Sequence, residues 1–121
     1  MKYEDFGDFL NKKRLEKKIT LRKMGELLDV TAPFLTDIEK GRRNPLDMGR
    51  LSKLIDILQL TEEEVTLMYD LVGKKRNSVA PDLPEYIMER DYVSAALRTA
   101  RDLNAGEEEW NKFVEELKKG K

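Results

Sequence analysis

Residues 20–45 read TLRKMGELLDVTAPFLTDIEKGRRNP, and the fold turns on how this stretch breaks. Leu21, Met24, Leu27 and Leu28 recur at helical spacing, as do Phe34, Leu35 and Ile38 after them. Between the two runs stand only Asp29, Val30 and Thr31, too few residues for an independent loop. Two helices joined so tightly cannot lie antiparallel and must cross steeply. At the crossing the first offers Gly25, which has no side chain, so the second can approach its backbone closely.

The surrounding residues carry a more specific pattern. Arg14 lies on a preceding helix, Thr20 opens the second helix, Gly25 is small, Val30 is aliphatic in the turn, and Thr31 opens the third helix. Ile-Glu-x-Gly-x-x-x-Pro follows as Ile38, Glu39, Gly41 and Pro45. In these positions the chain resembles the phage repressor and Cro helix-turn-helix regulators, the XRE type, over about residues 6–60. Three positions depart from that pattern. Leu21 stands where Gln is usual and removes a residue that commonly touches phosphate, Gly25 replaces Ala, and Asp29 replaces Gly in the turn. The resemblance implies an all-α fold, a five-helix lambda-repressor-like DNA-binding bundle. It implies that Arg14 and Glu39 form a structural salt bridge tying the first helix to the end of the third. A carboxylate so near DNA would repel phosphate unless neutralised.

The resemblance also assigns the DNA face. Ala32, Pro33, Thr36 and Asp37 would face the major groove. None is a long amide or guanidinium. Readout would rest on thymine methyls against Ala32 and Pro33, a hydroxyl from Thr36 and a carboxylate at Asp37 for a cytosine amine, with DNA shape supplying much of the rest. Pro33 reads equally as a first-turn proline, where a missing N–H costs nothing. Thr20 and Thr31 are N-caps and belong with Lys40, Arg42, Arg43 and Asn44 to the phosphate-binding set. Gly41 would end the third helix in a left-handed conformation, and Pro45 would prevent its resumption.

Outside the motif, the first helix is expected over Asp5 to Lys17 with Phe6, Phe9 and Leu10 inward. Lys12, Lys13, Lys17 and Lys18 at its far end suit either the helix dipole or phosphate. Leu51, Leu54, Ile55 and Leu58 predict a fourth helix, about Asp47 to Gln59. A Thr61/Glu64 capping box with Val65, Met68, Tyr69 and Val72 predicts a fifth. A DNA-binding domain over 1–73 is thus followed by a linker, 74–82, and a C-terminal segment, 83–121. Lys74, Lys75 and Arg76 in the linker read as solvated cations, with DNA contact as the other reading. The last segment reads as a helical hairpin: a helix from about Leu83 to Leu103, opened by Asp82, Pro84 and Glu85, a break at Asn104-Ala105-Gly106, and a helix from Glu107 to Lys119. Trp110, Phe113, Val114 and Leu117 form one stripe of the second helix. That stripe must pack on the bundle, on a second copy or on another protein.

Composition narrows the function. The 121 residues include no cysteine and no histidine, which removes thiolate chemistry, the commonest general base and the commonest metal ligand. No enzyme, cofactor or metal site is expected. The acidic N-terminus and the lack of a long apolar run predict a soluble cytoplasmic protein with no membrane partner. Net charge is −1, but residues 1–53 carry thirteen Lys/Arg against nine Asp/Glu, while residues 79–121 carry seven against ten. Such a gradient favours a polyanion face in the first half. The first reading is therefore a sequence-specific regulator binding double-stranded DNA, a repressor acting as a homodimer on a two-fold operator. The second is an antitoxin-like or adaptor protein whose C-terminal helices hold a protein partner, with DNA binding for autoregulation.

Overall fold

The computed structural model describes residues 2–121. Among them are eight helices and no strand: α1 (Phe6–Glu16), α2 (Leu21–Leu28), α3 (Ala32–Glu39), α4 (Met48–Ile57), α5 (Glu62–Arg76), α6 (Pro84–Met88), α7 (Asp91–Asp102) and α8 (Glu107–Lys119). No helix among these residues is long and apolar enough to cross a membrane. The chain divides into two compact units, residues 1–84 and 85–121.

In the first unit every helix start has a local chemical cause. Asp5, Thr20, Thr31, Asp47 and Thr61 each accept the N–H three residues on, so each opens its helix with one exposed donor satisfied. Glu64 returns the bond by accepting the Thr61 N–H at 3.0 Å, completing the capping box. Phe6, Phe9, Leu10, Met24, Leu28, Leu35, Ile38, Leu51, Leu54, Leu58, Met68 and Val72 form the buried core. Tyr3 joins it from outside any helix, packing edge-on against Phe9 with ring centroids 5.1 Å apart. Leu27, by contrast, faces outward, while Leu21 is half-buried against the core. The residue standing in place of the usual Gln therefore contributes to packing.

The steep crossing of α2 and α3 depends on Gly25. A Cβ there would lie 2.6 Å from the carbonyl oxygen of Val30, a backbone atom that cannot swing away. Asp29 turns the chain through the left-handed region at φ 57°, which a short polar side chain tolerates better than most.

Two expectations for the second half need correction. The stretch 74–82 is not a linker at its start, because α5 runs on to Arg76. Gly73 is buried, with the backbone of Val79 and Ala80 folded back against it, 2.8 Å from where a Cβ would stand. The helix expected over Leu83 to Leu103 is two helices. Arg90 leaves the helical conformation (φ −133°, ψ 91°), and its guanidinium turns back to donate to the Tyr86 carbonyl at 3.1 Å and to cover the Tyr86 ring. Asp82 does not cap α6; it lies in a turn where the Leu83 N–H donates to the Ala80 carbonyl. In the second unit α7 and α8 are joined through Asn104, again left-handed at φ 59°, and near this turn Leu97 and Ala100 lie beside Trp110. Glu109 accepts the Gly106 N–H at 3.2 Å, half of a capping box, since glycine has no side chain to return the bond.

Candidate nucleic-acid interface

The α2–turn–α3 element is held from three sides. From α1, the Arg14 guanidinium grips Glu39 with two bonds, Nε to Oε2 at 2.7 Å and Nη2 to Oε1 at 3.0 Å. Its third nitrogen donates to the Ile19 carbonyl at 2.8 Å, and the Asn11 amide donates to the same Glu39 Oε1 at 2.9 Å. Both side chains are less than a tenth exposed, so two buried charges are satisfied together. The Glu39 carboxylate raises the Arg14 pKa above its already high ordinary value, and the guanidinium stays charged.

From α4, Arg50 donates Nε to the Leu28 carbonyl at 2.8 Å and Nη2 to the Asp29 carbonyl at 3.2 Å. It thereby satisfies acceptors that the end of α2 leaves open. Asp47 aligns it, taking Nη1 at 2.6 Å while capping the Arg50 N–H, and these contacts lower the Asp47 pKa. From α5, the Lys75 ammonium donates to the Gly41 carbonyl at 2.8 Å, and Arg76 donates to the Pro45 and Leu46 carbonyls at 3.3 and 2.7 Å. Lys75 and Arg76 are thus neither solvated linker cations nor free for DNA; they anchor the loop after α3. Sequence reading missed Arg50, Lys75 and Arg76 because a backbone carbonyl partner leaves no trace in residue identity. The one available signal was the Asp47-x-x-Arg50 spacing, which places opposite charges on one helical face.

The loop so anchored begins with a Schellman closure. The Gly41 N–H donates to Ile38 and the Arg42 N–H to Asp37 at 2.8 Å, with Gly41 left-handed at φ 77°. Lys40, Arg42, Arg43 and Asn44 follow one another exposed around it. Arg43 lies over the Phe34 ring, 4.8 Å from its centroid. Both arginines also reach back to α3, Arg42 at 3.6 Å and Arg43 at 3.5 Å from the two oxygens of Asp37.

Along α3, Pro33 is exposed and Ala32 half-buried, the latter lining a groove with Arg22, Glu26 and Val30. The Thr36 hydroxyl donates to the Ala32 carbonyl at 3.1 Å. That spends its hydrogen, leaving a lone pair and a methyl group. Thr20 and Thr31 show the reverse arrangement. Each hydroxyl accepts its cap bond, at 3.0 and 3.2 Å, and keeps its own hydrogen to donate. The lysine cluster of α1 separates: Lys12 pairs with Asp8, Lys13 is buried against Glu64 and Glu16, Lys17 reaches Gln59, and Lys18 ends the helix left-handed at φ 57°.

A family model described as a helix-turn-helix domain matches residues 5–68. The chain belongs to that family. Its helix-turn-helix domain is of the XRE-like group, a DNA-binding class, and α2 and α3 are the two helices of the motif. No curated protein and no solved structure matches the chain. The matched span covers the Arg14–Glu39 clamp, the Arg50 bracket and the basic loop, and stops within α5, short of Lys75.

Proposed function

We propose that the protein is a sequence-specific transcriptional regulator, a repressor that binds a two-fold operator as a homodimer and excludes polymerase from it. The observation that carries this reading is the fixed attitude of α3 and its basic loop. Buried or bracketed contacts from α1, α4 and α5 hold them, while Pro33, Lys40, Arg42, Arg43 and Asn44 remain exposed. Such rigidity suits a helix that must enter a groove in one register. In this reading Arg42, Arg43, Lys40 and Asn44 hold phosphates, helped by the Thr20 and Thr31 hydroxyls. Ala32, Pro33 and the methyl and lone pair of Thr36 meet base edges. With so few long side chains, one α3 reads little, and the remaining discrimination comes from DNA shape and from pairing two half-sites. A regulator of this kind works in the cytoplasm and needs no cofactor.

The exposed stripe of α8 favours one further reading, in which it holds a protein partner and DNA binding serves autoregulation. Selection from random duplexes at fixed salt tests the first reading. An enriched sequence with two-fold symmetry supports it; no enrichment, with only salt-sensitive binding, overturns it. Enrichment of a single half-site by a monomer would favour the second.

A further inference from the structure

Asp37 has no evident reason to stand where it does. It lies in the last turn of α3, where the helix dipole disfavours a negative charge, and it is only partly exposed beside a surface expected to meet phosphate. Its two oxygens face two guanidinium groups, Arg42 at 3.6 Å and Arg43 at 3.5 Å. Arg43 is further steadied by the Phe34 ring on the same helix. The carboxylate thus occupies, within the chain itself, the place that a DNA phosphate takes in the proposed complex.

We infer that Asp37 acts as an internal rival to phosphate, holding down the sequence-independent part of the affinity for DNA. This rests on the DNA-binding reading above. To grip a phosphate, Arg42 and Arg43 must leave Asp37, and the bared carboxylate then stands beside the polyanion. Both costs fall on every sequence alike. They lower the affinity for operator and for unrelated DNA by the same factor, and a nonspecific complex, which lives on phosphate alone, is thereby brought nearest to no binding. A bared carboxylate also gathers a cation, so net ion release is smaller than the number of arginine–phosphate contacts implies.

The test compares Asp37→Asn with Asp70→Asn in the full chain, reading anisotropy of a random-sequence duplex and of the selected operator across salt. Asp70 is exposed on α5 and makes the same change in net charge. Asp37→Asn should raise affinity for the random duplex about three- to tenfold, the range for two exposed ion pairs. The log–log salt slope should steepen by about one unit, operator affinity should rise by the same factor so that the ratio of the two is kept, and Asp70→Asn should do none of this. In an Arg42→Ala, Arg43→Ala background the effect of Asp37→Asn should fall to the smaller repulsion of the carboxylate alone. Equal effects of Asp37→Asn and Asp70→Asn, or an undiminished effect without the arginines, would overturn the inference. So would an altered base preference at one position with unchanged random-duplex affinity, which would make Asp37 a reader of cytosine. Failure of the unaltered protein to bind any duplex would instead remove the DNA-binding reading itself.

Discussion

Lys75, near the end of α5, donates to the carbonyl oxygen of Gly41, thirty-four residues earlier, at 2.8 Å. The last turn of the fifth helix therefore fixes the first residue of the loop that follows α3. Lys75→Met should leave that carbonyl without its partner and loosen the loop. Amide exchange over residues 41–46 should quicken and operator affinity fall, while the salt slope stays unchanged, because no phosphate contact is lost. A slope reduced by about 0.9 would instead place Lys75 on a phosphate.

Arg42 and Arg43 are expected to make the phosphate contacts directly. Replacing both with Ala should weaken binding to operator and unrelated DNA alike, and should flatten the log–log salt dependence by up to about two units. Because Asp37 already engages both, part of that change is masked in the unaltered chain. The flattening should therefore be larger when measured in the Asp37→Asn background. An unchanged slope in both backgrounds removes the loop from the interface.

Glu39 accepts from Arg14 and Asn11 in a nearly dry setting. Glu39→Ala should cost about 3 to 5 kcal/mol in urea unfolding, since a buried guanidinium loses its counter-charge. Replacing the pair together, Arg14→Met with Glu39→Leu, should recover much of that loss. If the single change costs under about 1 kcal/mol, the clamp does not hold α1 to α3.

How far the sequence reveals these relationships depends on where the chemistry is written. Caps and core stripes are local, so Thr20, Thr31 and the Thr61/Glu64 box could be read from spacing, and the Arg14–Glu39 pair from family resemblance. Helix ends were harder. Lys18 and Gln59 both close Schellman-type turns at positive φ, and neither residue type announces it as Gly41 does. The break at Arg90 was hidden for a related reason: Tyr86, Val93, Leu97 and Ala100 keep helical spacing straight across it. Gly7 shows the same limit in packing. A Cβ there would stand 2.4 Å from the Ile38 carbonyl oxygen, yet nothing adjacent in the chain marks α3 as its neighbour.

Lys13 and Glu64 tie α1 to the start of α5, and their pH behaviour can be given a sign. The Lys13 ammonium and the bond from the Thr61 N–H lower the Glu64 pKa below its ordinary value of 4.5. Its contribution is thus present above that value and is lost as pH falls through the depressed one. Glu64 in turn raises the Lys13 pKa, so the ammonium's contribution holds below its ordinary 10.5 and is lost only in strong alkali. Glu64→Gln should lower stability at neutral pH by about 1 to 3 kcal/mol and flatten the acid limb below about pH 4.5. An acid limb identical to that of the unaltered protein would assign the loss to other carboxylates.

The dimer is expected to form through α8. No residue of α6, α7 or α8 is buried, and Trp110, Phe113, Val114 and Leu117 are 38%, 50%, 44% and 51% exposed on one face. Trp110 and Phe113 pack edge to face, centroids 6.1 Å apart, forming a preset aromatic pair of the kind that anchors interfaces. A lone helix-turn-helix domain reads about one half-site, and Ala32, Pro33 and Thr36 give it few contacts with which to do so. Linking two copies can gain about 10² to 10⁴ in affinity without any new base contact. Trp110→Ala with Phe113→Ala should therefore leave the caps and core of residues 1–84 folded, weaken self-association, and lower operator affinity while sparing that for a single half-site. Sedimentation decides the matter: a dimer of undiminished strength in the double variant returns the stripe to a heterologous partner or to the chain's own packing.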